Sequence, residues 1–319
     1  MDMSRVTIII PAKNEAEGLR KILPLICAAV PGAEILVVDD GSTDETRDVA
    51  LSFGAIVYSH AVSMGNGAAI KSGVRIANSE TLVFMDADGQ HEPEDILRLL
   101  DRLSHGFDMV VGARSLGSQA GAHRAIANTI YNKLATWMVG RPILDLTSGF
   151  RAVNATKFKQ FLYLLPNGFS YPTTITMSFF RAGYAVDYVP IVAPPRIGKS
   201  HISLLRDGIR FFLIIFKVGT LYSPLKLFVP ISAAFFLTGV GYYIYTYLSF
   251  HRFTNMSALM FITSIQVFLM GLVSEQISAL NYKESNTQLN AESPPVHAGG
   301  RTHEKGAGSQ SHSTERPIE

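Results

Sequence analysis

Leu82-Val83-Phe84-Met85 is an apolar run that stops abruptly at Asp86-Ala87-Asp88-Gly89-Gln90. Along an extended chain residues i and i+2 point the same way, so Asp86 and Asp88 can share one hard cation at the end of a strand. Gln90, two residues on, adds a neutral oxygen donor. Such donors suit Mg²⁺ or Mn²⁺, held through one or two carboxylates and completed by diphosphate oxygens. A metal in that position acts as a Lewis acid, offsetting the charge that develops on a departing nucleoside diphosphate. Zinc is disfavoured, because the chain has no Cys/His cluster.

The elements that must position this pair are legible in the apolar pattern. Val6 to Ile10, Ile35 to Val38, Ala55 to Ser59, Thr81 to Met85 and Asp108 to Val111 are rich in β-branched residues and read as strands. Helical spacing falls between them, over Glu15 to Val30, from Ser42, Thr43 or Asp44 as a cap to about Phe53, and near Asn66 to Ala77 and Pro93 to Leu103. Pro24 is expected to distort or split the first of these helices. Strands alternating with helices predict an α/β domain with a mainly parallel, Rossmann-like sheet covered on both faces. Ligands bind such sheets beyond the strand carboxyl ends, where Pro11, Asp39 and Asp86 all stand.

The 319 residues carry a net charge of +2, which argues against a nucleic-acid partner. A single cysteine, Cys27, excludes an internal disulfide and fits a reducing compartment. Met1 to Arg5 leads straight into Val6 to Ile10, stopped by Pro11, so no signal peptide is expected. Hydrophobic residues reach 47%, and the excess is local. Ile202, Leu205, Ile209, Phe212 and Phe216 recur every three or four residues, with Arg206, Arg210 and Lys217 on other faces, as in a helix lying on a membrane. Leu227 to Phe250 and Ser257 to Leu280 are then long enough, at about 1.5 Å per residue, to cross a hydrocarbon core of about 30 Å. Glu275 inside the second span is expected to face the first helix or lie near the interface. Arg206, Arg210, Lys217 and Lys226 precede the first span and Lys283 follows the second, against Arg252 and His251 in the connection, which predicts an integral membrane protein with the catalytic domain and C-terminus in the cytosol. The polar segment from Ser285 to Glu319 reads as a disordered tail. The expected units are a catalytic domain over 1–200, a surface helix and linker over 201–224, a hairpin over 225–282 and the tail from 283. Nothing in the sequence speaks to oligomeric state.

Ile-Ile-Ile-Pro-Ala-Lys-Asn-Glu at 8 to 15, Val-Val-Asp-Asp-Gly-Ser-Thr-Asp at 37 to 44, Asp-Ala-Asp-Gly-Gln at 86 to 90, Gly-Ala-Arg at 112 to 114 and Asp-Leu-Thr-Ser-Gly-Phe-Arg-Ala at 145 to 152 stand in order. Together they resemble the motifs of family 2 glycosyltransferases, and more narrowly the dolichyl-phosphate or polyprenyl-phosphate sugar synthases. The resemblance covers about residues 5 to 202. It implies a GT-A fold, a nucleotide-sugar donor, a divalent metal, a polyprenyl or dolichyl phosphate acceptor and inversion at the anomeric carbon. It also implies that Pro11, Lys13, Glu15, Asp39 and Asp40 line a nucleoside pocket, although many relatives carry an aromatic residue where this chain has Lys13. Asp86, Ala87 and Asp88 would meet metal and diphosphate, with Gln90 as a further ligand. Arg114 would reach toward phosphate, and Arg124 with Asn128 would form the acceptor-phosphate corner. Arg196-Ile197-Gly198-Lys199-Ser200-His201 resembles the family's Arg-x-x-Gly-x-Ser-Lys signature, with one residue fewer between Arg and Gly and His201 in the final Lys position. Arg196 and Lys199 are the substrate-binding candidates there, and Arg151 in the Asp145 to Ala152 motif is another.

Each assignment has a rival. Asp39 also suits a helix cap, and Asp40 or Asp44 a structural carboxylate. Arg114 and Arg151 would serve equally as surface ion pairs. Ser63-Met64-Gly65-Asn66-Gly67-Ala68-Ala69 is either a phosphate-binding loop at a helix start or an ordinary turn. Asp145 either faces the sugar as a catalytic group or braces the turn from Thr147 to Arg151. At the level of function, transfer of a sugar, GDP-mannose before UDP-glucose or UDP-N-acetylglucosamine, to a lipid phosphate competes with processive polysaccharide synthesis and with a non-catalytic nucleotide-sugar-binding adaptor. The only tryptophan, Trp137, lacks the Gln-x-x-Arg-Trp context usual in processive synthases.

Overall fold

The computed structural model describes residues 2–114, 122–168, 170–192, 213, 216, 219, 220 and 223–292, with 122–128 and 281–292 described by backbone alone. Seven strands form one sheet in the order β3-β2-β1-β4-β6-β5-β7. They are β1 (Val6–Ala12), β2 (Glu34–Asp39), β3 (Ile56–Ser59), β4 (Thr81–Phe84), β5 (Met109–Arg114), β6 (Arg151–Asn154) and β7 (Val186–Ile191). All pairings are parallel except those of β6, which runs against both β4 and β5. The five strands expected from the sequence are present. β6 and β7 are additions.

Alternation in β1 feeds two cores. Ile8 and Ile10 join Leu19, Leu23, Val37 and Leu99 on one face, whereas Ile9 joins Leu36, Val38, Ile70, Val74 and Phe84 on the other. Covering those faces are α1 (Ala16–Ala29), α2 (Thr46–Ser52), α3 (Asn66–Ile76), α4 (Glu94–Ser104), α5 (Ala122–Val139), α6 (Ala155–Lys159) and α7 (Tyr171–Arg181). Contrary to expectation, α1 runs unbroken through Pro24. Pro24 lies on the exposed face, where the carbonyl it leaves without an amide partner can turn to water, while Leu19, Ile22, Leu23 and Ile26 hold the buried face.

Register explains where the polar strand ends meet. Ala12 pairs with Asp39, and Ile9 pairs with Phe84, so β1, β2 and β4 finish along one edge. Asp40 N donates to Ala12 O at 2.8 Å and Met85 N to Ile9 O at 3.2 Å, which extends the ladder to the first acidic residues.

Two further helices, α8 (Pro224–Phe250) and α9 (Asn255–Glu292), pack as a hairpin. Pro224–Phe250 and Asn255–Leu280 are long and apolar enough to cross a membrane, and their large side chains point outward, Leu237 at 67% and Leu248 at 72% exposure. Small residues close the seam between them. Ser232 Oγ donates to Ser264 O and Ser264 Oγ to Ser232 O, both at 2.9 Å, and a Cβ at Gly271 would meet Phe228 Cβ at 2.7 Å. Helix α9 continues to Glu292, so the segment from Ser285 to Glu292, expected in the tail, is helical; residues 293–319 lie outside the described residues. Most of the surface helix expected over 201–224 also lies outside them.

The hairpin is tied to the domain where it begins. Lys226 Nζ donates to Trp137 O at 3.1 Å and Met138 O at 2.9 Å, which satisfies carbonyls at the C-terminal end of α5. Leu227 packs against the cluster of Ala135, Met138, Ile143, Leu146 and Met177. Glu275 lies beside the start of α8, 3.5 Å from Leu225 N, and 3.5 Å from Arg181 at the end of α7.

Candidate active site

Pro11 near the end of β1, Lys13 and Glu15 after it, Asp40 after β2, and Asp86, Ala87 and Asp88 after β4 line one cavity of about 430 Å³, with Ser63, Gly65, Asn66 and Gly168 among its other walls. Seven of the residues singled out in the sequence therefore meet in one place. Asp39 does not line it. It is buried, and its Oδ1 accepts from Ser42 N at 2.9 Å, making the turn that leads the chain out of β2.

Asp40 is held by the protein. Its Oδ1 accepts from His60 Nδ1 at 2.7 Å and Met64 N at 2.8 Å, and its Oδ2 from Ser63 Oγ at 2.7 Å and Gly65 N at 2.8 Å. Burial would push this carboxyl up, but the bonds from His60, Met64, Ser63 and Gly65 outweigh it and hold the pKa below the usual range. Lys13 Nζ joins the network through Ser63 Oγ at 2.9 Å. The chain of contacts fixes the loop from His60 to Gly65 as a cavity wall. His60 was missed in the sequence because nothing in its spacing relates it to a carboxylate twenty residues earlier, and Ser63 was read only as the start of a loop.

The start of α3 within the loop from Ser63 to Ala69 is held by main-chain contacts. Gly67 N donates to Gly168 O at 3.2 Å and Ala68 N to Asn167 O at 2.9 Å, so these amides at the start of α3 are engaged within the protein. A Cβ at Gly67 would stand 2.0 Å from Pro166 O, and one at Gly65, where φ is +100°, 2.6 Å from Asn167 O. Main chain meets main chain there.

Asp86 and Asp88 face the cavity from the far side, and the Asp86 side chain is 38% exposed. Among the described residues no group of three or more His, Cys, Asp or Glu converges to hold a metal. Two carboxylates on an open cavity fit a Mg²⁺ or Mn²⁺ ion that takes its remaining ligands from phosphate and water, and do not fit an all-protein cage. Gln90 is not part of the cavity lining; its backbone N donates to Asp88 Oδ1 at 3.2 Å.

Arg114 and Asp145 form a bidentate pair beside the acidic rim. Nε donates to Oδ2 at 2.8 Å and Nη2 to Oδ1 at 3.0 Å, and Nη2 also reaches Thr147 Oγ1 at 2.6 Å. Asp145 accepts in addition from Thr147 N and Ser148 N, each at 3.1 Å, so it braces the turn into β6. Burial alone would raise the Asp145 pKa, but Arg114 and the Thr147 amide hold it below the ordinary carboxylate range. The guanidinium shows the converse: burial works against its charge, while Asp145 first and then Asp86 and Asp88 raise its pKa. Arg114 thus stands close enough to the rim to sense both carboxylates.

Arg151 differs from both readings given it. It is neither a surface ion pair nor a wall of the cavity, but fully buried, with Nη1 donating to Thr176 Oγ1 at 3.0 Å and Nη2 to Ser148 O. As the first residue of β6 it points inward toward α7, where its guanidinium satisfies loop and helix oxygens. The side chains of Arg124 and Asn128 lie outside the described residues, as do Arg196 and Lys199 entirely.

Comparison with known proteins adds three findings. Residues 7–162 match the glycosyl transferase family 2, and residues 223–280 match the GtrB C-terminal hairpin. Among relatives, the chain is 32% identical to a polyprenol monophosphomannose synthase of Mycolicibacterium smegmatis over 62% of this chain and 81% of that protein, and 31% identical to an undecaprenyl-phosphate mannosyltransferase of Micrococcus luteus over 62% and 88%. Glycosyltransferase AglJ of Haloferax volcanii is 29% identical over 88% of this chain and 95% of its own length. Among solved structures, glucosyl-3-phosphoglycerate synthase from Mycobacterium tuberculosis in complex with Mn²⁺ and UDP-glucose shares the fold at a TM-score of 0.55, with 22% identity, over 66% of this chain and 78% of that one. The sheet and its flanking helices are a GT-A fold, followed by a two-helix apolar hairpin.

Proposed function

We propose that this chain, which belongs to glycosyl transferase family 2, transfers a monosaccharide from a nucleotide-sugar to a polyprenyl or dolichyl phosphate at the cytosolic face of a membrane. The observation that carries the reading is the joining of one open acidic cavity to a docked apolar hairpin. Asp86 and Asp88 rim the cavity, and Lys226, Leu227 and Glu275 bind the hairpin to the same domain. The names of the two mannosyl-transferring relatives support mannose as the sugar, and GDP-mannose is the donor this reading takes.

A lipid phosphate simplifies what the protein must supply. Its second pKa is about 6, so at neutral pH the attacking oxygen is already anionic and needs no general base. A Mg²⁺ or Mn²⁺ ion held by Asp86 and Asp88 would supply Lewis-acid stabilisation to the departing diphosphate. Pro11, Lys13, Glu15 and the wall fixed by Asp40 would bind the nucleoside, and Gln90 would assist the metal ligands. The Arg114–Asp145 pair would keep a fixed positive group beside the rim, where it lessens repulsion between two anions approaching in line with inversion. Arg124, Asn128, Arg196 and Lys199 would receive the acceptor phosphate.

The domain surface supports a membrane setting. Ile130, Lys133 and Trp137 recur at three- and four-residue spacing along α5 and are exposed, as are Arg141 and Leu144 beyond its end, and the Trp137 carbonyl accepts from the Lys226 tether. Apolar bodies flanked by cations suit the headgroup layer. His251 and Arg252 sit alone in the connection between α8 and α9, so the basic bias favours the domain side as cytosolic.

The test is a panel of GDP- and UDP-sugars offered with polyprenyl phosphate and with dephosphorylated polyprenol, products read by mass spectrometry with and without Mn²⁺. Metal-dependent transfer of mannose to the phosphorylated lipid alone is the expected result. Elongation of a glycan chain, or binding without turnover, would replace this reading.

A further inference from the structure

His91 stands behind the Asp86 carboxylate and has no role in the reading above. It is 7% exposed, and its ring lies on Phe150 with centroids 4.7 Å apart and planes 17° from parallel. Its Nε2 is 3.7 Å from Asp86 Oδ2, while its Nδ1 is buried with no hydrogen-bond partner in the structure. Gly149 is a second close neighbour, since a Cβ there would stand 3.0 Å from Asp86 Oδ2 and 3.3 Å from Oδ1. The carboxylate thus has an imidazole edge and a stretch of main chain against it.

Any turn of the ring short of a 180° flip gives up its stacking on Phe150, and a flip carries Nε2 away from the Asp86 carboxylate. Only one of its nitrogens faces a group of known character, and that group is an acceptor. A proton on Nε2 meets the carboxylate, whereas a proton on Nδ1 would be a buried donor without a partner. At 3.7 Å the contact is longer than a hydrogen bond and acts as a directed electrostatic one.

We propose that His91 is a positioning residue for the metal site, its Nε2–H orienting Asp86 so that Asp86 and Asp88 address a single divalent cation. The inference rests on the reading of those carboxylates as metal ligands. Groups that orient metal ligands from behind typically change metal affinity by about 10- to 100-fold. Ordinary core packing against Phe150 is the competing account, and it predicts no effect on the metal once an aromatic ring is retained.

The experiment measures Mn²⁺ binding by electron paramagnetic resonance in the full-length protein in detergent, with GDP or UDP present, for wild type, Asp88→Ala, His91→Phe and His91→Gln. Asp88→Ala is expected to lose specific binding. His91→Phe keeps a ring on Phe150 and is expected to weaken Mn²⁺ by about 10- to 100-fold. His91→Gln carries an amide nitrogen near the Nε2 position and is expected to recover most of that loss. In turnover, the apparent KM for Mn²⁺ of His91→Phe should rise by a similar factor, and kcat at saturating Mn²⁺ should fall by less. Wild-type Mn²⁺ affinity in His91→Phe, alongside lost binding in Asp88→Ala, overturns the role of His91 alone. Wild-type affinity in Asp88→Ala overturns the metal site itself. Should His91→Phe not fold, Phe150→Leu frees the imidazole without removing it and is expected to weaken Mn²⁺ by a smaller factor; unchanged affinity there also overturns the proposal.

Discussion

Asp39-Asp40 at the end of β2 and Asp86-Ala87-Asp88 after β4 are both acidic strand ends, flanking the same central strand β1. Asp40 accepts four hydrogen bonds, from His60, Ser63, Met64 and Gly65, and is 4% exposed. The Asp86 side chain keeps 38% exposure on the cavity, with Gly149 and His91 pressing from behind. Residue type is alike in the two pairs, and the difference lies in exposure: Asp40 is enclosed by its donors, whereas the Asp86 side chain keeps a face on the cavity. A carboxylate whose lone pairs are met internally builds the wall, and one left facing the cavity is available to a cation.

The largest expected effect falls on the open pair. Asp88→Ala should reduce sugar transfer by at least about 10³-fold, equivalent to about 4 kcal/mol of barrier, with an unchanged far-ultraviolet circular dichroism spectrum. Near wild-type turnover in the folded variant would erase the distinction between the two pairs. Arg114→Ala comes next, because it leaves the buried Asp145 charge without its partner. A stability loss of about 3–5 kcal/mol is expected, read as a lower denaturant midpoint. Asp40→Ala should cost about 3 kcal/mol, since several buried donors lose their acceptor together. Its donor KM should rise as the cavity wall loosens.

Acidification separates the same two groups of residues. Asp40 and Asp145 titrate in the folded protein below the 3.8 of an ordinary Asp. The stability they contribute is therefore complete above that value and lost as pH falls through the lower folded pKa values. Asp40→Asn should make the acid limb of an unfolding-midpoint profile shallower below about pH 4. The smallest effect is expected at the hairpin. Glu275→Gln removes a contact of 3.5 Å with a partly exposed Arg181, worth under about 1 kcal/mol.

Much of this architecture is legible in the sequence, for physical reasons that differ by element. β1, β2 and β4 are buried on both faces, so their apolar runs are unbroken and their ends abrupt. β6 is four residues long and opens on Arg151, and β7 carries Pro190. A charged residue inside a core and a proline inside a strand both contradict local pattern. Here tertiary context overrides it, through Thr176 and Ser148 for the arginine and through the sheet-edge position of β7 for the proline. In the site, strand-end position pointed to Pro11 and Asp86, which line the cavity, and to Asp39, which does not; its neighbour Asp40 does. Saturation of Asp40 and burial of Arg151 were not legible, because both depend on partners brought together only by the fold.

The contact between Gly65–Gly67 and residues 166–168 sets unequal rules for sequence change on its two sides. One side contributes main-chain carbonyls, which Pro166 and Gly168 would offer whatever side chains they bore. The other side has no room for a single methyl group, and a backbone oxygen 2.0 Å from the would-be Cβ of Gly67 cannot rotate aside as a side chain could. In a saturation library of this chain, drift should accumulate along one strand of that seam and vanish from the other. The glycines would stand out as fixed positions although no reacting group lies on them.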